Sequence, residues 1–297
     1  MSDIFYNRVV REHDDRNYRR KPAKGDLILN LEKIINESDL LVIEFDGYII
    51  PKDGSRVTLL LYCREFKREL LKYETTDLAR ILFNEIQQKV DFDLAVKLSH
   101  KFNCHLACVF PPYDYPIDDD EAKESKIIVF PKIEEDRILR EMNVKKIKEF
   151  LLNHNKRYTT KSLTFAATKL EYYLSQIPSG TNNTIAFPGD ADGILMDSNK
   201  NVLAILEYKS DTYGKKIIDE SISKYKSDIT RFNVLDDFCK LLDVPLVIIF
   251  WSDTHTKSKI VLRDSFSGEE TSTILSSDSY DDLALQIFKL LKDIHKK

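Results

Sequence analysis

Two short stretches carry side chains that chemistry would need close together. In GDADGILMD (189–197), Asp190 and Asp192 stand two residues apart, and in VLAILEYKS (202–210), Glu207 and Lys209 do the same. Apolar residues dominate both stretches, so each reads as a strand covered on its faces. Residues two apart on a strand leave it on the same side, so each pair shares a face. The SNKN turn at 198–201 joins the strands as a hairpin, which brings aspartate, glutamate and lysine to one end. Clustered carboxylates repel one another, and a hard cation such as Mg²⁺, or Mn²⁺ in its stead, relieves that repulsion. The chemistry suited to such a site is phosphodiester hydrolysis. The metal polarises a phosphate oxygen and lowers the pKa of its water, while a nearby ammonium orients the water or offsets developing charge.

The surrounding pattern is an α/β core. LTFAATKLEYYLSQI (163–177) has helical spacing and stops at Pro178, Ser179 and Gly180, and TIAF (184–187) reads as a short strand. The two site strands follow as second and third. Residues 217–243 read as a helix with a bend near Asn233, PLVIIFW (245–251) as a buried strand, SKIVLRD (258–264) as another, and 280–295 as a closing helix.

The segment GDADGILMDSNKNVLAILEYKS (189–210) resembles the PD-(D/E)xK nuclease superfamily, the restriction-endonuclease-like nucleases of restriction, DNA repair and phage defence. The resemblance covers roughly 160–252 and nothing N-terminal to it. It implies a core of helix, three strands, helix and strand with a mixed sheet, the acid on the second strand and ExK on the third. By that likeness Asp192 is the metal-binding aspartate, Glu207 the second ligand and Lys209 the lysine beside the attacked phosphate. Asp190 is the rival for the first role, since Pro188-Gly189-Asp190 also looks like the "PD" element; Asp192 is preferred because Ile194, Leu195 and Met196 follow it closely. Family members often add a glutamate from the first core helix, for which Glu171 is the weaker candidate. Lys224 and Lys226, after ExK, and Lys156 and Arg157 upstream are candidates for contact with DNA backbone. The implied activity is a Mg²⁺-dependent DNA endonuclease in restriction or phage defence, acting as a homodimer or in a larger assembly. The same fold would also serve a catalytically inactive nucleic-acid-binding or assembly subunit, or a partner-gated nuclease acting on RNA.

The tripeptide alone carries none of this. ExK occurs at 65–67, 121–123, 124–126 and 207–209. The middle two lie in an acidic, proline-marked stretch, and the first runs into REFKRELLKYE, whose helical spacing would send Glu65 and Lys67 apart. Strand context separates the last from the rest.

N-terminal to this region, residues 1–25 read as a basic arm. Helical spacing covers 27–38, strands are expected at 39–50, 57–63 and 104–110, and one or two amphipathic helices at 75–101. PPYDYPIDDDEAKES (111–125) reads as a linker and KIIVFPK (126–132) as a short strand. The expected boundary falls near 135–142. That gives an N-terminal α/β domain at 1–138 for recognition, dimerisation or partner contact, and a nuclease domain at 139–297.

Bulk properties fit a cytoplasmic protein without a membrane span. The 297 residues carry a net charge of −4, but charge is local. Residues 141–170 hold seven basic side chains against two acidic, and 112–136 hold nine acids against three lysines, so a polyanion has specific zones to meet. Cys63, Cys104, Cys108 and Cys239 show no paired CxxC spacing and read as reduced thiols, with Cys104-His105 and Cys108 as buried strand. There is no GxxxxGK[ST] or GxGxxG, hence no nucleotide-driven motor motif.

Overall fold

A computed structural model describes Phe5 and residues 25–50, 55–112, 127–130, 140–143, 146–147, 149–150, 189–210, 216–224, 229–252 and 256–294. The chain forms two compact units: residues 1–22 with 46–189, and residues 23–45 with 190–297. This division falls elsewhere than near 138. A helix and half a strand from the start of the chain belong with its C-terminal third.

The unit holding the ExK strand begins with helix α1 (Asp26–Asn36) and the first half of strand β1 (Leu40–Ile49). Leu27, Ile28, Leu31 and Ile35 of α1 recur at helical spacing and are all buried. After residues 46–189, the unit resumes with β6 (Gly189–Asp197), β7 (Val202–Ser210), helix α4 (Ile229–Leu242), β8 (Leu246–Trp251), β9 (Lys257–Arg263), β10 (Glu270–Ser276) and helix α5 (Tyr280–Ile294). Strand order is β10-β9-β8-β7-β6-β1. β6 and β7 form an antiparallel hairpin, β8 runs parallel to β7, and β9 and β10 are antiparallel to their predecessors, so the sheet is mixed. Helices α1 and α5 pack together on one face, over Leu206, Tyr208, Val247, Ile249, Trp251 and Ile260. Helix α4 packs on β7 and β8 and buries Phe232, Leu235 and Phe238.

The hairpin turn explains itself locally. Asp197 accepts hydrogen bonds from Asn201 N and Nδ2 at 2.8 Å each, and Lys200 takes φ 64°, the left-handed position that closes a three-residue connection.

The other unit contains the second half of β1, β2 (Leu59–Cys63), helices α2 (Thr75–Ile86) and α3 (Val90–Phe102), β3 (His105–Phe110), β4 (Ile127–Phe130) and β5 (Arg140–Met142). Its strand order is β1-β2-β3-β4-β5, with β2 and β3 parallel through the α2–α3 crossover. Tyr62, Phe83, Phe92, Phe110 and Phe130 form a chain of ring contacts on one side. Arg64 closes the end of β2: its guanidinium pairs with Asp91, donates to Cys63 O and lies 4.3 Å from the Tyr62 ring centroid. Burial pushes the Tyr62 hydroxyl up from its ordinary range, so it stays protonated as a donor to Asp91.

Several expected elements are present with nearby bounds, among them α1, β1, β2, β3, β4, β8 and β9, and 75–101 resolves into the two helices α2 and α3. The expected helix over 217–243 is corrected. Only Ile229–Leu242 is α-helical, and Ile217–Asp219 and Ile222–Lys224 are short 3₁₀ turns. Ser221 and Ser223 bond each other side chain to side chain at 2.9 Å, the local competition that makes serine a weak helix former. The expected helix at 163–177 and strand at 184–187 lie outside the described residues, as does the 1–25 arm apart from Phe5 and Gly25. Among the described residues no helix is long and apolar enough to cross a membrane. All four cysteines are free and buried.

Candidate functional site

The β6/β7 ladder pairs Gly193 with Leu206 and Ile194 with Ile205. One step further sets Asp192 opposite Glu207, and alternation puts both on the face away from Gly193 and Leu206. The two strands meet differently at that step, because Tyr208 N donates to Asp192 Oδ2 at 2.7 Å. A side-chain carboxylate thus takes a main-chain donor of the neighbouring strand, and Asp192 is held against β7 by its own head group.

Glu207 and Lys209 leave β7 on one face. Their contact is a close ion pair rather than an aligned hydrogen bond, with Lys209 Nζ 2.9 Å from Glu207 Oε1. Glu207 is 0% exposed and Lys209 is 12% exposed, so the carboxylate is sealed while the amine keeps an outlet to water. Lys209 Nζ also lies 5.5 Å from the centroid of the Phe232 ring on α4, a cation–π contact that holds the amine over the site. In the ladder Glu207 is opposite Ile248 and Lys209 opposite Phe250, so apolar side chains flank both charges. That surrounding lowers the local dielectric and strengthens any electrostatic interaction made there.

Two residues unmarked in the sequence support the arrangement. Tyr208 points to the opposite face, where its hydroxyl donates to Glu32 Oε1 of α1 at 3.1 Å. The residue that holds Asp192 by its main chain is therefore anchored by its side chain to the first helix. Gly193 makes room for this: a Cβ there would lie 2.9 Å from Val42 Cγ2 and 3.3 Å from the Tyr208 hydroxyl. Nothing in the sequence marks Glu32, since its partner is 176 positions away. The glycine beside the aspartate was the one available sign of a close approach.

Next to the site, Lys259 on β9 faces the same side as Lys209, through the pairs Lys209–Phe250 and Phe250–Lys259. Its Nζ bonds Glu220 O at 2.7 Å and Ile218 O at 3.1 Å, which ties the segment after the ExK strand down onto the sheet.

The other expected residues are placed as follows. Lys224 is exposed at the end of a 3₁₀ turn rather than on a helix. Asp190 lies on β6, its side chain outside the described residues, and Glu171, Lys156, Arg157 and Lys226 lie outside them altogether. The alternative tripeptide does not form a comparable site: Glu65 and Lys67 follow the end of β2, and Phe66 between them makes isolated bridges to Phe5 and Pro112.

Asp192 and Glu207 offer hard oxygen donors from adjacent strands. That donor set suits Mg²⁺, which is commonly bound through one or two carboxylates plus waters and substrate phosphate. Among the described residues, no group of three or more His, Cys, Asp or Glu side chains is gathered to hold a metal ion. Comparison of the chain with protein-family models, with curated proteins and with solved structures gives no match.

Proposed function

We propose that the chain is a metal-dependent endonuclease that hydrolyses phosphodiester bonds in DNA, built on a restriction-endonuclease-like core. The observation carrying this reading is the placing of three side chains at the end of one hairpin. Asp192 is held at Tyr208 N, Glu207 is sealed beside it, and Lys209 lies 2.9 Å from Glu207. The element order supports it independently. With residues 46–189 taken as an insertion, α1, β1, β6, β7, α4 and β8 run helix, three strands, helix, strand. The helix and first strand of that core are then α1 and β1.

In this reading Asp192 and Glu207 hold Mg²⁺ or Mn²⁺, which supplies Lewis-acid activation of the phosphate and of the attacking water. Lys209 does the work of a positioned cation. Its amine, supported over Phe232, moves from Glu207 toward the phosphate, offsets the charge growing on it and orients the water. The apolar flank from Ile248 and Phe250 keeps bulk water from screening that charge. Asp190 remains the second candidate on β6. Restriction or phage defence is the setting that suits such an enzyme, and Lys224 is the described lysine placed to meet the DNA backbone.

A second reading, the same fold without catalysis, draws on the closed Glu207–Lys209 pair, which satisfies both charges without a metal. One experiment separates the two. Purified full-length protein is incubated with plasmid, phage and single-stranded DNA, and with RNA, in Mg²⁺ or Mn²⁺, beside Asp192→Ala and Lys209→Ala. Cleavage of DNA by the wild type and its loss in both folded variants is expected. Metal-independent DNA binding without cutting, unchanged in Glu207→Ala, would establish the second reading, and cleavage of RNA alone would replace DNA as substrate.

A further inference from the structure

The sheet that carries the candidate site ends at β10, and that edge lacks the devices that normally keep edges apart. Residues 270–276 are exposed except for half-buried Leu275, and Ile274 is 46% exposed. Between Thr271 and Ser277 the sequence is TSTILSS, with no charge and no proline. Natural edge strands are usually blunted by lysine, proline, a bulge or a covering segment. The β9–β10 register runs unbroken from Glu270–Arg263 to Ser276–Lys257, without a bulge.

Hydrogen-bond parity along this strand says which groups are open. Asp264 N donates to Glu269 O at 2.9 Å, and Ser277 N to Thr256 O at 3.0 Å, one bond at each end of the ladder. In an antiparallel pair such bonds recur at alternate residues. Thr271, Thr273 and Leu275 therefore turn their main-chain groups inward to β9. Glu270, Ser272, Ile274 and Ser276 turn theirs outward.

We propose that β10 is the seam of a homodimer, pairing antiparallel with β10 of a second copy of this chain about a two-fold axis at Thr273. Ser272 then exchanges main-chain hydrogen bonds with Ile274 of the other copy, and Glu270 with Ser276. A second copy is the occupant because the strand is complementary to itself in charge as well as in hydrogen bonding. Its one acid, Glu270, lies at one end, and at the other Ser276 is paired with exposed Lys257. Antiparallel pairing brings each Glu270 to the lysine end of the other strand, while the uncharged middle meets itself without repulsion. The seam does not depend on the nuclease reading.

The test uses full-length protein in sedimentation equilibrium. The wild type should rise about twofold in mass from the 34.6 kDa of one chain as concentration approaches about 100 µM, the range of a weak interface. Ile274→Pro removes an outward N–H and leaves the β9 ladder intact, and Ile274→Lys sets like charges near the axis. Both should stay at monomer mass with an unchanged melting temperature, whereas Thr273→Pro, which removes an inward N–H, should lower it. Residues facing each other across the axis in a non-hydrogen-bonded pair lie about 4.5 Å apart at Cα, close enough for a disulfide. Thr273→Cys should therefore cross-link on oxidation and Thr271→Cys should not. A wild type that stays monomeric throughout, dimers that survive both Ile274 substitutions, or equal cross-linking at 271 and 273 would overturn the proposal.

Discussion

Replacing Lys209 by methionine is expected to destabilise the protein more than replacing Glu207 by glutamine, and the asymmetry follows from exposure. Glu207 is 0% exposed, so Lys209→Met leaves a carboxylate enclosed beside Ile248 and facing Asp192 without its cation. Removing one partner of a buried pair typically costs about 3–5 kcal/mol, and the lower end, about 3 kcal/mol, applies because the Lys209 end of the pair reaches solvent. Glu207→Gln leaves an ammonium that is 12% exposed and can turn to water, a cost of about 1 kcal/mol. At about 3 °C per kcal/mol, the melting temperature should fall by about 9 °C in one variant and about 3 °C in the other. Trp251 is the sole tryptophan and is buried in the core of this unit, so its fluorescence reports the relevant transition. A divalent cation sharpens the test. Without Lys209 the two carboxylates are free to share Mg²⁺ or Mn²⁺, and at about 100 times its Kd the ion stabilises by about 2.7 kcal/mol. The wild type, whose Glu207 is already paired, should gain less. Equal losses in the two variants would refute the burial argument. A metal-induced shift no larger in Lys209→Met than in the wild type would refute the placing of Asp192 and Glu207 at one metal position.

Three other perturbations probe the frame around the site. Gly193→Ala puts a methyl group 2.9 Å from stiff Val42 and should cost about 1–3 kcal/mol, read as a lower urea midpoint. Tyr208→Phe removes the hydrogen bond to Glu32 and should cost about 1–2 kcal/mol at an unchanged denaturant slope; no change would deny α1 its hold on the ExK strand. In the β9–β10 connection, hydrogen bonds from Ser267 N, Ser267 Oγ and Phe266 N hold the Asp264 carboxyl below the usual aspartate range. Its contribution to stability is therefore present above the unfolded aspartate pKa and lost as pH falls through the folded one. An NMR titration of Asp264 should show the lowered midpoint, and Ser267→Ala should raise it toward the ordinary value.

Strands and amphipathic helices were legible because their apolar residues repeat at the spacing the backbone demands, as in Leu27, Ile28, Leu31 and Ile35 of α1. Glu207 and Lys209 were legible because two charges interrupt an apolar run. Strand β10 was not, since ETSTILS is exposed almost throughout and so lacks the buried-face alternation that marks a strand. The turns at 217–224 read as helix because Ile217, Ile218 and Ile222 lie at helical spacing, while the bonds from Lys259 that fix them to β9 come from far along the chain. Partnerships across long separations, Tyr208 with Glu32 or α1 with α5, leave no periodic trace. For that reason α1 and β1 read as part of the N-terminal half.

The unit bearing the ExK strand is discontinuous in sequence, and synthesis must respect that. Residues 23–45 leave the ribosome before the 46–189 stretch, and their apolar faces have no partners until β6, β7, β8 and α5 are made. At about 5–20 residues per second, Leu27, Ile28, Leu31 and Ile35 wait on the order of ten seconds or longer. The intervening unit, which closes on itself, has time to fold first and can hold the two pieces near each other. A fragment beginning at residue 139 or 190 would lack one face of its own core. Supplying residues 23–45 in trans would then be the way to restore it.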